Sequence, residues 1–193
     1  MSYFAVIDTE TNWVDQVMSI GIVIADDTNF APIDTKYYIL PEECLIGGMY
    51  EGTLYLDTPV KPLHMSRREA LKDLIQLLKR HHVRDLFAYN ASFDRNHLPE
   101  LGDFAWHDIM RFAAYRQHNP KIPAHWEFCS TGRLKRGYGV ETMLQLLSGD
   151  RNYQETHNAC FDALDELKIM ELLGYKPEEY PLLASCRKAG NHV

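Results

Sequence analysis

Residues 3–8 place apolar side chains on both faces of an extended chain. Phe4 and Val6 point one way, Ala5 and Ile7 the other. A strand without a polar face is one buried on both sides. VMSIGIVIA (17–25) repeats the pattern, and KYYIL (36–40) gives a third strand, with Asp-Asp-Thr-Asn and Ala-Pro as turn material between them. Segment 41–63 is looser and carries Gly47-Gly48 and several prolines. The period then changes. Ser66-Arg-Arg-Glu69 fits a capping box, and Leu71, Leu74, Ile75, Leu77 and Leu78 behind it form a helical stripe. DLFAYN (85–90) and DFAWHD (103–108) read as a fourth and fifth strand. FDRNHLPEL, IMRFAAYRQH, VETMLQLL and NACFDALDELKIMELLG read as helices, the last closed by Gly174. Residues 119–139 form a long loop with Pro, Gly, Lys and Arg, and Pro177 and Pro181 mark a short tail. Three early strands followed by alternating strands and helices predict an α/β fold: a five-stranded mixed sheet flanked by helices. No composition break divides the chain, so one domain over 1–193 is expected, with 175–193 as a tail.

Composition changes this picture little. The chain has 193 residues, 46% hydrophobic and 24% charged, enough to build a sizeable core. No apolar run nears the ~20 residues of a membrane helix. The N-terminus lacks a basic n-region and a small-residue cleavage site. Cys44, Cys129, Cys160 and Cys186 form no CxxC pair and no zinc spacing, as expected of scattered thiols in a reducing compartment. No membrane partner and a cytoplasmic location are the expectations.

Charge changes it more. The net charge of −7 argues against a polyanionic partner, but the distribution is uneven. Residues 1–60 hold ten acids and one lysine. Residues 61–84 hold seven basic residues against two acids, and residues 109–139 six against one. Two basic segments in an acidic chain form either a local track for phosphates or ordinary solvated faces.

The candidate chemistry begins where the first strand ends. Asp8 and Glu10 share one strand face, roughly 7 Å apart. Carboxylates so placed repel and lose hydration, and a hard divalent cation compensates both; the alternative is a strand end that meets solvent. FAYNASFDRNHL (87–98) delivers a third acid: strand, Asn90-Ala-Ser turn, then Asp94 in the first turn of a helix. ETHNACFDALDELKIM (155–170) supplies His157 and, five residues on, Asp162. On one helix that spacing separates two side chains by about 140°. They converge if His157 sits on the loop before the helix. Asp165 and Glu166 at i+3 and i+4 from Asp162 are unfavourable on a bare helix.

Asp8-x-Glu10, Asn90-Ala-Ser-Phe-Asp94 and His157-x4-Asp162 together resemble the three motifs of the DEDDh 3′–5′ exonucleases, the DnaQ-like branch of the RNase H-like superfamily. The resemblance spans about residues 3–174. It implies an RNase H-like fold with the first strand central. It also implies two divalent ions, Mg²⁺ or Mn²⁺, held by Asp8, Glu10, Asp94 and Asp162, with His157 as general base, and a single-stranded nucleic acid 3′ end as substrate. Four clustered carboxylates raise one another's pKa without metal, so chelation is expected to lower the melting temperature.

The sequence departs from the family pattern in two places. Thr11-Asn12-Trp13 follows the glutamate where the family often has Thr-Thr-Gly; Asn tolerates the left-handed backbone of a glycine, so a turn is expected. Tyr89 stands where a histidine often precedes Asn-Ala. Thr9, Thr11, Trp13 and Asn90 are the expected contacts to the terminal nucleotide. Trp13 either stacks on the last base or packs under the adjoining loop. Lys121, Arg133, Lys135 and Arg136 are the expected contacts to the strand behind it, with Tyr138 interleaved. A polymerase or another DNA- or RNA-processing partner is compatible with the pattern. The 41–63 segment, with Tyr50, Leu54, Tyr55 and Leu56, is a dimer surface or a lid. Two competing classes stand beside the nuclease: a non-catalytic RNase H-like binding module and a hydrolase of small phosphoesters.

Overall fold

The computed structural model describes residues 2–183; Cys186 and the end of the tail lie outside the described residues. Its sheet has six strands: β1 (Tyr3–Thr11), β2 (Val17–Asp26), β3 (Pro32–Ile39), β4 (Leu63–His64), β5 (Asp85–Ala88) and β6 (Ala105–Asp108). Their order is β4-β3-β2-β1-β5-β6, which makes β1 central. β1–β2 and β2–β3 are antiparallel, while β1–β5, β5–β6 and β3–β4 are parallel. The sheet thus has six strands, not the five expected. The sixth is the two-residue β4, too short to show a period of two.

β3 also starts earlier than the hydrophobic run suggests, because β2 carries its ladder down to Ala25↔Pro32. That outer half is exposed or half-buried, so side-chain pattern did not mark it. The expected helix over 109–118 shrinks to α4 (Met110–Ala113). Its last carbonyls are taken by the loop that follows: Asn119 Nδ2 donates to Ala113 O at 2.7 Å, and Leu134 N donates to Ala114 O at 3.0 Å.

The split of β1 side chains holds. Phe4 and Val6 pack with Val23, Phe87 and residues of α5 (Val140–Ser148) and α6 (Ala159–Leu173). Ala5 and Ile7 pack on the other face against α2 (Arg67–Arg80), whose Leu71, Leu74, Leu77 and Leu78 are buried. Burying one such leucine contributes about 1.5–3 kcal/mol. The expected capping box is present: Ser66 accepts from Glu69 N while the Glu69 side chain accepts from Ser66 N. Remaining helices are α1 (Pro41–Cys44) and α3 (Ser92–His97).

By alternation, Asp8 and Glu10 face the α6 side of the sheet. Asp8 lies directly across from Gly21 of β2. A Cβ on Gly21 would fall 1.8 Å from Ala159 O and 2.6 Å from Cys160 N, so only glycine lets the start of α6 rest on the sheet. Asp162 is one turn further along. Gly21→Ala is therefore expected to push α6 away, costing about 1–3 kcal/mol, a fall of roughly 5 °C in melting temperature. Differential scanning calorimetry reads this directly; an unchanged Tm would mean that α6 tolerates the shift.

Candidate active site

The site forms where β1 and β5 end, because both strands run parallel and deliver their following segments to the same edge. A cavity of about 370 Å³ opens there, lined by residues 8–13, Met49, Tyr50, Phe93, Glu155, His157 and Asp162. This lining carries four acids and no Lys or Arg.

Each motif is held by a local device. Asn158 caps α6 by accepting from Cys160 N at 3.0 Å, and its Nδ2 reaches Thr53 O at 2.7 Å. His157 therefore precedes the helix, as its spacing from Asp162 requires. Its backbone is left-handed, φ 54°, a conformation costing a non-glycine residue about 1–2 kcal/mol. Two contacts hold it: Thr53 Oγ1 donates to His157 O, and the Tyr50 ring stacks on the imidazole, centroids 4.1 Å apart at 15°. Asn90, φ 62°, makes the turn from β5 into α3, with its N–H on Asp108 Oδ1 at 3.0 Å and its residue surface exposed. Asp94 sits in the first turn of α3, 1% exposed, and accepts from Thr9 Oγ1 at 2.8 Å. Thr9 thus serves Asp94.

The acids crowd one another. Burial, then Glu155 and Glu10, push the Asp162 carboxyl up to about 9. Burial, followed by Glu155 and Asp94, raises Glu10 to about 7. Burial raises Asp94 to about 7 against the pull of the Thr9 hydroxyl. Asp8 is driven well up by burial and by Asp94, Glu166, Asp162 and Glu10. Ligand atoms of Glu10, His157 and Asp162 lie within 4.8 Å of one another. Asp8 Oδ2 and Asp162 Oδ1 are buried without a hydrogen-bond partner. Unpaired buried carboxylate oxygens in a lining without cationic side chains fit a hard divalent ion. Of the expected metal set, Glu10 and Asp162 fall in that group with His157, Asp8 lines the same cavity, and Asp94, outside the lining, reaches Asp8 and Glu10 through its charge.

Two further acids belong here: Glu155, which sequence reasoning passed over, and Glu166, which it marked only as a like charge at i+4 from Asp162. Glu155 lines the cavity, with Oε1 3.9 Å from His157 Nδ1. Glu166 is 1% exposed and accepts from Tyr89 N at 3.0 Å. Their signals were weak: two residues before the histidine, and i+4 from Asp162.

The outer residues scatter more. Trp13 is 65% exposed at the cavity lip, so it does not pack under the loop; Thr11 lines the same cavity. The expected turn forms, but Asn12 acts through its side chain: Oδ1 accepts from Val14 N and Gln16 N, and Nδ2 reaches Glu43 O. The left-handed residue is Asp15, φ 66°. Segment 41–56 forms the cavity wall through Met49 and Tyr50. Leu54 is fully buried while Tyr55 and Leu56 are exposed. Lys121, Arg133, Lys135 and Arg136 do not line the cavity. Lys121 Nζ donates to Leu147 O at the end of α5. Lys135 lies 3.7 Å from Glu127, and Arg136 lines a separate groove with His125 and Trp126. Arg133 covers the half-exposed Tyr138 ring at 4.6 Å.

No helix of the described residues is long and apolar enough to cross a membrane. No family model matches this sequence, and no curated protein does. Solved structures do. A 3′-exonuclease solved for its 3′-end-specific recognition of the histone mRNA stem-loop aligns with TM-score 0.61 at 15% identity, over 96% of this chain and 71% of that one. The nuclease domain of 3′hExo, a DEDDh family member bound to rAMP, gives TM-score 0.60 at 13% identity over 95% and 96%. Exonuclease I of E. coli, in a zinc-bound complex with single-stranded DNA, gives 0.54 at 15% identity; 90% of this chain covers 40% of that one. The chain shares its fold with these 3′-exonucleases.

Proposed function

We propose that this chain, acting as one domain, is a metal-dependent 3′–5′ exonuclease of the DEDDh type that removes nucleoside monophosphates from single-stranded DNA or RNA. One observation carries the reading. Ligand atoms of Glu10, Asp162 and His157 converge within 4.8 Å of one another, in one cavity with Asp8, where Asp8 Oδ2 and Asp162 Oδ1 lack partners, at the strand ends of a fold shared with 3′-exonucleases.

Asp8, Glu10, Asp94 and Asp162 offer oxygen donors suited to two divalent cations, Mg²⁺ or Mn²⁺, which when bound supply positive charge to the phosphate and acidify a water. His157 takes the proton of the attacking water, as imidazole does near neutral pH. The attack forms one P–O bond and breaks the bond to the 3′-oxygen of the preceding nucleotide. Tyr50 keeps the imidazole plane fixed during this transfer. Trp13, Met49 and Phe93 give the terminal base an apolar surface to stack on, worth about 1–3 kcal/mol per base. Arg133 and the Tyr138 ring it covers, joined to the β5–α3 turn through the Tyr89 hydroxyl, offer a cationic and an aromatic contact to the nucleotides behind it.

The test is digestion of a short 5′-labelled oligonucleotide, as DNA and as RNA, in Mn²⁺ and in EDTA. The expected product is a ladder shortening one nucleotide at a time from the 3′ end, absent in EDTA. Internal cleavage, or no cleavage by folded protein in Mn²⁺, would refute the reading. The ratio of the two rates gives the sugar preference.

A further inference from the structure

Glu166 has no part in the hydrolysis described above, yet it is as deeply buried as Asp94. An isolated buried carboxyl group is costly. Its neighbours along the inner side of α6 are Ala163, Leu167 and Met170, all buried, so an apolar side chain would satisfy packing at this position.

What the carboxylate does is visible at the end of β5. The β5–β6 ladder stops at Ala88↔Asp108, and the chain turns at Tyr89 and Asn90 into α3. Beyond a ladder's end, main-chain N–H groups need other acceptors. Asn90 N finds Asp108 Oδ1 at 3.0 Å, and Tyr89 N finds Glu166 Oε2 at 3.0 Å. The first bond stays within neighbouring strands. The second crosses to α6, one helical turn beyond Asp162. The turn it grips launches the helix that carries Asp94. One hydrogen bond therefore connects the supports of two acids that come from distant parts of the chain. The same tyrosine extends the connection outward, since its hydroxyl donates to Tyr138 O beside the Arg133 contact.

We infer that Glu166 is a positioning residue: its bond to the Tyr89 N–H fixes α6 against the β5–α3 turn, setting Asp162 relative to Asp94 and with it the divalent-ion affinity of the site. The inference rests on the metal-binding part of the proposed function. Gln at this position retains a carbonyl acceptor of the same reach, while Leu fills similar space without one.

The experiment compares wild type, Glu166→Gln and Glu166→Leu by three readouts: hydrogen exchange of the Tyr89 amide in metal-free protein, Mn²⁺ affinity by electron paramagnetic resonance, and kcat and KM on a short oligonucleotide. Glu166→Gln is expected to keep the amide protected and Mn²⁺ affinity near wild type. Glu166→Leu is expected to lose the protection and about 10–100-fold in Mn²⁺ affinity, lowering kcat more than KM. Free exchange of the Tyr89 amide in wild type overturns the inference, as does Gln harming Mn²⁺ affinity as much as Leu. Should Glu166→Leu not fold, wild-type exchange and the Gln variant still decide. Normal Mn²⁺ binding without oligonucleotide shortening in wild type would refute the exonuclease reading and leave the brace intact.

Discussion

Asp162→Asn is expected to abolish turnover and, in the same molecule, to raise the melting temperature of the metal-free protein. Both effects follow from one fact: Asp162 is a carboxylate held where a carboxylate is unfavourable. It is 3% exposed, leaves Oδ1 without a partner, and faces Glu155 and Glu10. Without metal it is held up to about 9, so folding at neutral pH requires it to take up a proton that the unfolded chain releases. Asn has the same shape and needs no proton. Removing that requirement is expected to stabilise the metal-free fold by a few degrees, measured in EDTA near pH 8. The same substitution takes away a negative oxygen that would hold a divalent ion. Turnover on an oligonucleotide is expected to fall by about 10³-fold or more, equal to ~4 kcal/mol of transition-state stabilisation. A variant that is less stable in EDTA than wild type would show that the acids are not in mutual repulsion. A variant that still shortens oligonucleotides at near wild-type rate would remove Asp162 from the machinery.

That tension between stability and charge explains which parts of the site the sequence exposes. The alternation in β1 separates Phe4 and Val6 from Ala5 and Ile7, and by extension puts Asp8 and Glu10 on the face that α6 covers. The five-residue step from His157 to Asp162 requires a loop-then-helix arrangement, and Asn158 supplies it. These are local constraints, and local constraints are legible. The roles of Glu155 and Glu166 are not, although Glu166 stands out as a like charge beside Asp162, because an acid near a helix start and an acid on a helix are ordinarily solvated. Only the tertiary position of Tyr89 N–H makes Glu166 an acceptor. The basic loop is a similar case. Spacing groups Lys121 with Arg133, Lys135 and Arg136, but Lys121 turns inward to a helix-end carbonyl and Arg136 lines another groove. Fold class follows from the order of elements, whereas β4 and the early start of β3 arise from pairing with neighbours.

Stability of the metal-free protein is expected to fall as pH rises from about 5 to about 8, and divalent metal is expected to restore it most at the upper end. Glu10 moves from 4.5 to about 7, and Asp94 and Asp162 from 3.8 to about 7 and about 9. Each folded value lies above its unfolded one. The folded protein therefore holds protons that the unfolded chain has given up across this window, and raising the pH favours the unfolded chain. Their contribution is fully present below the unfolded values and is lost through the folded ones. For Glu10 alone, the step from 4.5 to about 7 corresponds to on the order of 3 kcal/mol. Asp73 is a counter-case: burial raises it, but Lys36 and Tyr38 outweigh that and hold it low. Its stabilising effect fades only at acid pH, below the window, so it does not mask the trend. Metal binds the deprotonated acids and competes with protons, so its effect grows with pH. At an ion concentration of about 100 times Kd the gain is ~2.7 kcal/mol, several degrees for a chain of this size. Melting curves at a series of pH values, in EDTA and in Mn²⁺, separate the outcomes. A metal-free Tm that climbs from pH 5 to 8, or a Mn²⁺ shift larger at pH 5 than at pH 8, would mean that the acids at the end of β1 are ionised and solvated, and that the core strand does not mount a preformed metal site.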